Sequence, residues 1–184
     1  MKKITFILNN KKVNASDDET IWQVAKREGL LIPHLCHSDE IGYQPDGNCR
    51  ACMVEIEGER TLAASCIRRP SDGMKVISNS NKASTARKAV FELLASDQPE
   101  KKSHPDPNSK FWQWSAKMDI NEHKYPKIKN ISRDISHNAM HVNLDACINC
   151  NLCVRACRDV QVNDVIGMSY RGHSSKVTFD FDDP

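Results

Sequence analysis

Eight cysteines stand in two quartets, and their spacing is the part of this sequence best suited to chemistry. Cys36 is followed after twelve residues by Cys49, after two more by Cys52 and after thirteen more by Cys66. Iron–sulfur clusters need four soft thiolates converging from several directions, which a chain supplies by setting a close pair in a loop and bringing the others back through the fold. Gly42, Pro45, Gly47 and Asn48 fall in the first gap, and glycine there lets backbone N–H groups approach cluster sulfur without a Cβ in the way. This quartet points to a [2Fe-2S] cluster. Two readings compete with it: zinc, whose commonest four-cysteine site uses two close pairs where this quartet has one, and cysteines that are merely buried. The first gap also departs from plant-type spacing, in which four residues separate the first two ligands.

Cys147, Cys150, Cys153 and Cys157 form C-x2-C-x2-C-x3-C, the bacterial ferredoxin run whose tight loop wraps three corners of a [4Fe-4S] cubane. The fourth cysteine of that run normally serves the other cluster of a two-cluster ferredoxin, and here Arg158 rather than proline follows it. The spacing predicts that Cys147, Cys150 and Cys153 share a cluster whose fourth ligand lies beyond Pro184 or on another chain, leaving Cys157 to a neighbouring cluster. The alternative closes all four on one cubane, for which the helix expected through Val154 to Val160 would have to bend. The first alternative makes the chain either a module of a longer polypeptide or a short subunit completed by a partner.

The compartment bears on these readings. The apolar run Ile4 to Leu8 is too short for a signal-peptide core and Asn9, Asn10, Lys11 and Lys12 follow at once, so the expected location is cytoplasmic. Thiols are kept reduced there, which disfavours four disulfides. No stretch approaches a membrane span. Lys and Arg total 26 against 24 acids and are spread along the chain, leaving no electrostatic case for nucleic acid.

The elements that must position the cysteines read as α+β, in units small enough that metal would help to hold them together. In residues 1–80, Ile4 to Leu8 and a segment around Val13 form a hairpin across Asn9-Asn10. Thr20 and Gln23 make a capping box for a helix from about Thr20 to Glu28, with Gly29 as its stop. Strands are expected at Cys52 to Ile56, Thr61 to Ala64 and Met74 to Ile77. Residues 81–96 form a closing helix whose face of Ala83, Ala86, Val90, Leu93 and Leu94 should be buried. Residues 97–137 show no sustained period, and four of the eight prolines fall between 97 and 145, which reads as a linker or wrapping segment. Its Phe111, Trp112 and Trp114 serve as packing anchors or a partner-binding patch. Residues 138–184 hold the second quartet, a short helix and a hairpin of Val165-Ile166-Gly167 with Val177 to Phe181 around Arg171-Gly172-His173-Ser174.

The run Gly47-Asn48-Cys49-Arg50-Ala51-Cys52-Met53-Val54-Glu55-Ile56, preceded by Ile32-Pro33-His34-Leu35-Cys36, resembles the N-terminal [2Fe-2S] domain shared by complex I large iron–sulfur subunits, iron-only hydrogenases and NAD-linked formate dehydrogenases. The second quartet with Tyr170-Arg171-Gly172 and Phe179 to Pro184 looks most like the alpha subunit of molybdenum- or tungsten-dependent formate dehydrogenases. That resemblance implies a β-grasp, ferredoxin-like [2Fe-2S] domain, then a bacterial-type [4Fe-4S] ferredoxin domain of which this chain holds part, then a molybdopterin catalytic domain elsewhere. It implies a further cysteine quartet just after Pro184. Relatives carry an intermediate cluster bound by one histidine and three cysteines, but Ser103-His104-Pro105-Asp106-Pro107 has no cysteine, so His104 reads as a surface or capping residue.

No P-loop, G-x-G-x-x-G or nucleophile with an evident base is present, and the catalytic residues are none; the cluster accounts for Cys36 better than a Cys/His pair with His34 or His37 does. The expected function is electron relay between a molybdopterin formate dehydrogenase centre and a flavin or NAD-reducing iron–sulfur partner. A plant-type [2Fe-2S] centre sits near roughly −400 mV, which suits both formate and NAD chemistry. The other readings are an electron-transfer module of a hydrogenase or a complex I-like NADH oxidoreductase, and a structural zinc or assembly module without redox activity.

Overall fold

Asn9 and Asn10 both adopt left-handed backbone, with φ of 48° and 66°, and so turn β1 (Lys3–Leu8) tightly into β2 (Lys11–Ser16). The computed structural model describes residues 3–120, 123–127 and 141–179, which divide into two compact units, Met1–His37 with Pro45–Val90 and Ser38–Gln44 with Phe91–Pro184. In the first unit, period-two alternation puts Phe6 and Leu8 of β1 and Val13 and Ala15 of β2 on one buried face. Helix α1 (Ile21–Arg27) lays Ile21, Trp22, Val24 and Ala25 into the same core. Both halves of the expected capping box form: Gln23 N–H donates to Thr20 Oγ1 at 3.3 Å, and Thr20 N–H donates to Gln23 Oε1 at 2.8 Å. The helix stops at Gly29, whose φ of 76° suits its place just after the last turn.

Strands β3 (Met53–Ile56), β4 (Ala63–Ala64) and β5 (Lys75–Ile77) complete a mixed sheet in the order β2-β1-β5-β3-β4. β5 runs parallel to β1, with Leu8 beside Val76, and antiparallel to β3, with Glu55 beside Ile77. A five-stranded mixed sheet with one helix against its core is the layout that the β-grasp expectation asks for.

Helix α2 spans Asn81–Asp97, close to the expected limits, and Ser80 Oγ accepts from Ala83 N–H at its start. Its buried face overlaps the expected one at Ala83, with Ala86, Val90 and Leu94 half-buried, but is centred elsewhere. Ala83, Arg87, Phe91 and Ala95 are buried, whereas Leu93 is 57% exposed. An apolar-only reading skipped Arg87, whose guanidinium bonds the carbonyls of Ala83 and Ser78 and so takes a core position.

In the second unit, α3 (Lys110–Lys117) lies within the segment expected to be an irregular linker. Phe111 and Trp112 are buried, and Phe111 stacks on Phe91 at 5.9 Å between ring centroids. One helical turn pair is too short to establish a period, but burial of two aromatics is enough to hold it. Further on, α4 (Leu152–Arg155) is followed by a wider turn over Ala156–Val160, closed by Gln161 N–H to the Ala156 carbonyl at 2.8 Å. The helix expected through Val154 to Val160 therefore forms, its second half widened around Cys157. Strands β6 (Ile166–Ser169) and β7 (Lys176–Phe179) form the expected hairpin, joined through a single helical turn at Gly172–Ser174. Phe181 and the rest of 180–184 lie outside the described residues.

Candidate functional site

The first quartet is set by four different parts of the first unit. Cys36 follows Trp22's anchor, in which the indole N–H donates to the Ile32 carbonyl at 3.1 Å; Cys49 lies in the loop, Cys52 enters β3 and Cys66 leaves β4. Cys36, Cys52 and Cys66 are each 1% exposed, and Cys49 is half-buried. Gly47 has φ of 64°, and a Cβ there would stand 2.8 Å from Ile67 Cδ1, so only glycine lets the loop run this close to the residue after Cys66. Arg50 is left-handed at φ 57°, which aims the backbone between Cys49 and Cys52 back toward sulfur. Cys49 N–H donates to Cys36 Sγ at 3.4 Å and Ala51 N–H to Cys49 Sγ at 3.5 Å.

The four thiols interact through one another. The Cys49 thiol, and then that of Cys66, hold Cys36 well below the usual thiol range. Hydrogen bonding to Cys36 with burial pushes Cys49 up, and the same bond with one to Cys52 pushes Cys66 up. Cys52 falls to about 7, chiefly because the Cys66 thiol donates to it. The four thiols thus lie within hydrogen-bonding reach of one another in a buried pocket, where iron can take the place of their protons. A two-iron core asks for only two thiolates at each metal, so the donor set fits a [2Fe-2S] cluster.

His34 and His37 stack on Trp22, with centroids 4.6 Å and 4.3 Å away, and His37 is buried. Both rings pack on Trp22 next to Cys36 in the chain.

The second quartet lies in the second unit on a loop built by asparagines. Asn149 and Asn151 have φ of 50° and 59°, a conformation asparagine tolerates better than most residues, and they flank Cys150. Asn149 N–H donates to Cys147 Sγ at 3.4 Å. Burial pushes the Cys147 thiol up, with the nearby Cys153 adding to it. Cys147 and Cys150 are half-buried and Cys153 is exposed. Cys157 differs: it is buried, and its Sγ accepts from Val165 N–H at 3.2 Å, on the approach to β6. The structure therefore brings Cys147 and Cys153 into electrostatic contact and seats Cys157 against the hairpin side.

Sequence reasoning passed over two buried arginines beside these quartets, because a guanidinium reads as surface. Arg155, 2% exposed, donates to the Gln44 carbonyl at 2.7 Å and faces the Tyr43 ring. Arg87 is the other. His104 acts as a local cap, its Nδ1 accepting from Asp106 N–H at 2.9 Å while Nε2 meets Gln98 Oε1 at 3.1 Å.

Comparison with known proteins agrees with the first unit. Residues 1–81 match the family model described as a 2Fe-2S iron-sulfur cluster binding domain. The NADP-reducing hydrogenase subunit HndD of Solidesulfovibrio fructosivorans is 30% identical, over 96% of this chain and 31% of its own length. The G subunit of the NADH-quinone oxidoreductase of Rickettsia typhi is 26% identical, over 95% of this chain and 26% of its own. The putative formate dehydrogenase YrhE of Bacillus subtilis is 24% identical, over 98% and 19%. In the crystal structure of an NAD+-reducing [NiFe]-hydrogenase in the H2-reduced state, one chain superposes with a TM-score of 0.81 at 25% identity, covering 96% of this chain and 74% of that one. The chain spans less than a third of the length of these three curated relatives. It is an iron–sulfur electron-transfer domain of a kind shared by such oxidoreductases. No helix among the described residues is long and apolar enough to cross a membrane.

Proposed function

We propose that Cys36, Cys49, Cys52 and Cys66 hold a [2Fe-2S] cluster and that this module passes single electrons between a molybdopterin formate dehydrogenase centre and a flavin or NAD-reducing iron–sulfur partner in the cytoplasm. The observation that carries the reading is the convergence of four interacting thiols under backbone N–H donors from Cys49 and Ala51. A bound cluster supplies one-electron chemistry at such a site. The protein's part is to fix four sulfurs, neutralise them with N–H groups and keep water from three of them. In the second unit Cys147, Cys150 and Cys153 hold a [4Fe-4S] cluster with a fourth ligand from outside the quartet, while Cys157, seated under Val165, serves a neighbouring cluster. The other reading, closure of all four on one cubane, draws on the widened helical turn over Ala156–Val160, which carries Cys157.

Formate chemistry rests on the second-quartet resemblance and on the likeness to the putative formate dehydrogenase of Bacillus subtilis. The likeness to HndD and to the Rickettsia NADH-quinone oxidoreductase favours a hydrogenase or complex I-like module instead. Anaerobic purification with iron and acid-labile sulfide counted per chain, and EPR after dithionite reduction, tests the cluster assignment. A rhombic [2Fe-2S] signal is expected, and a colourless, zinc-loaded protein would overturn it. Molybdenum or tungsten analysis of the native complex separates the formate reading from the hydrogenase one.

A further inference from the structure

Arg87 is 7% exposed, and its two hydrogen bonds run from Nε to the Ala83 carbonyl at 3.2 Å and from Nη2 to the Ser78 carbonyl. Among the described residues no carboxylate pairs with it. A buried cation is expensive unless an anion answers it, and two neutral carbonyls are only part of an answer. Ser78 is the residue after β5, and since Glu55 lies beside Ile77 the register carries Ser78 to Val54, two residues from Cys52. At about 3.3 Å per residue along a strand and about 4.8 Å between strands, the guanidinium is anchored on the order of 10 Å from Cys52. Ser78 is itself held, by Asn9 Nδ2 to its Oγ at 2.7 Å and by its own N–H to Asn9 Oδ1 at 2.8 Å, so the anchor is rigid.

We propose that Arg87 is the counter-charge of the [2Fe-2S] site and raises its reduction potential through the field of a buried, immobile guanidinium. The proposal rests on the ligand set Cys36, Cys49, Cys52 and Cys66. A two-iron cluster with four thiolates is dianionic when oxidised and trianionic when reduced, so it supplies the anion that Arg87 lacks and calls on it more strongly after the electron arrives. Burial draws the guanidinium toward its neutral form, and negative charge at Cys52 opposes that. One electron enters from dithionite through mediators, no proton or bond moves, and only the charge facing Arg87 changes. A unit charge at about 10 Å and an effective dielectric of about 20 favours the reduced cluster roughly tenfold, which for one electron corresponds to about 59 mV.

The test is an EPR-monitored redox titration of the full chain, purified anaerobically, as wild type, Arg87→Gln and Arg87→Lys. The expected result is a midpoint potential lower by about a factor of ten in the reduced-to-oxidised ratio for Arg87→Gln and close to wild type for Arg87→Lys. An Arg87→Gln chain that folds by circular dichroism yet holds no iron, beside an Arg87→Lys chain that does, supports the same role. Equal potentials in all three, an equal shift in both variants, or loss of the cluster from both overturns it. A wild-type chain with no rhombic signal tells against the cluster itself, and a normal signal with an unmoved potential tells against Arg87 alone.

Discussion

At the scale of single residues, the loop around the first quartet is held by backbone that few side chains can adopt. Gly47 combines a left-handed φ with a wall at Ile67, so Gly47→Ala adds strain of about 1–2 kcal/mol and forces Ile67, the neighbour of Cys66, to shift. The expected outcome is a lower urea midpoint and faster bleaching of the visible spectrum under a chelator; an unchanged bleaching rate would mean the loop does not govern access to the cluster. Cys49→Ser goes further, because its sulfur both receives the Ala51 N–H and partners Cys36. It should abolish the rhombic EPR signal and lower the melting temperature of the first unit, since cluster binding is coupled to folding. A retained signal in that variant would remove Cys49 from the ligand set. That these cysteines converge, with a glycine beside them, was legible in the sequence because their spacing is a covalent constraint. Arg87 and Arg155 were not, since burying a guanidinium depends on which carbonyls the fold leaves open, and that is settled only by tertiary structure.

At the scale of elements, legibility followed locality. The hairpin at Asn9-Asn10, the capping box of α1 and the β6–β7 hairpin each depend on residues within a few positions of one another, and each formed near its expected limits. The burial of α2 depends on distant partners, and there periodicity selected Leu93 where packing selected Phe91. The difference is measurable. Phe91 is fully buried and stacked on Phe111, so Phe91→Ala should cost about 3–5 kcal/mol by the lost transfer and the cavity left behind. Leu93→Ala should stay within about 0.5 kcal/mol, as surface changes do. Urea titrations of the two variants check this, and equal losses would restore the face that the sequence alone suggested. Helix α3 escaped notice for a related reason: its eight residues make barely two turns, too few for a period, and its order comes from burying Phe111 and Trp112.

At the scale of the molecule, the two cysteine quartets belong to different compact units, each with its own sheet or hairpin and its own buried aromatics. Ligands that do not share a core should fill and fail independently, so Cys49→Ser is expected to leave iron at the second quartet, and changes in the second quartet should leave the [2Fe-2S] signal intact. Cys157 decides how the second quartet is used. Its sulfur is buried and bonded to Val165 N–H, while Cys153 is exposed and Cys147 senses Cys153. If Cys157 serves a neighbouring cluster, Cys157→Ser in the native, full-length polypeptide keeps a [4Fe-4S] signal from Cys147, Cys150 and Cys153. It loses only the neighbour's. Closure of the quartet on one cubane predicts the opposite, loss of that signal with the [2Fe-2S] centre untouched, because the wide turn at Ala156–Val160 would then exist to swing Cys157 toward its own loop. Iron counted per chain beside low-temperature EPR of this one variant separates the two. The electron path follows from the answer, since a cysteine that belongs to the next cluster also ties this unit covalently to the next step of the relay.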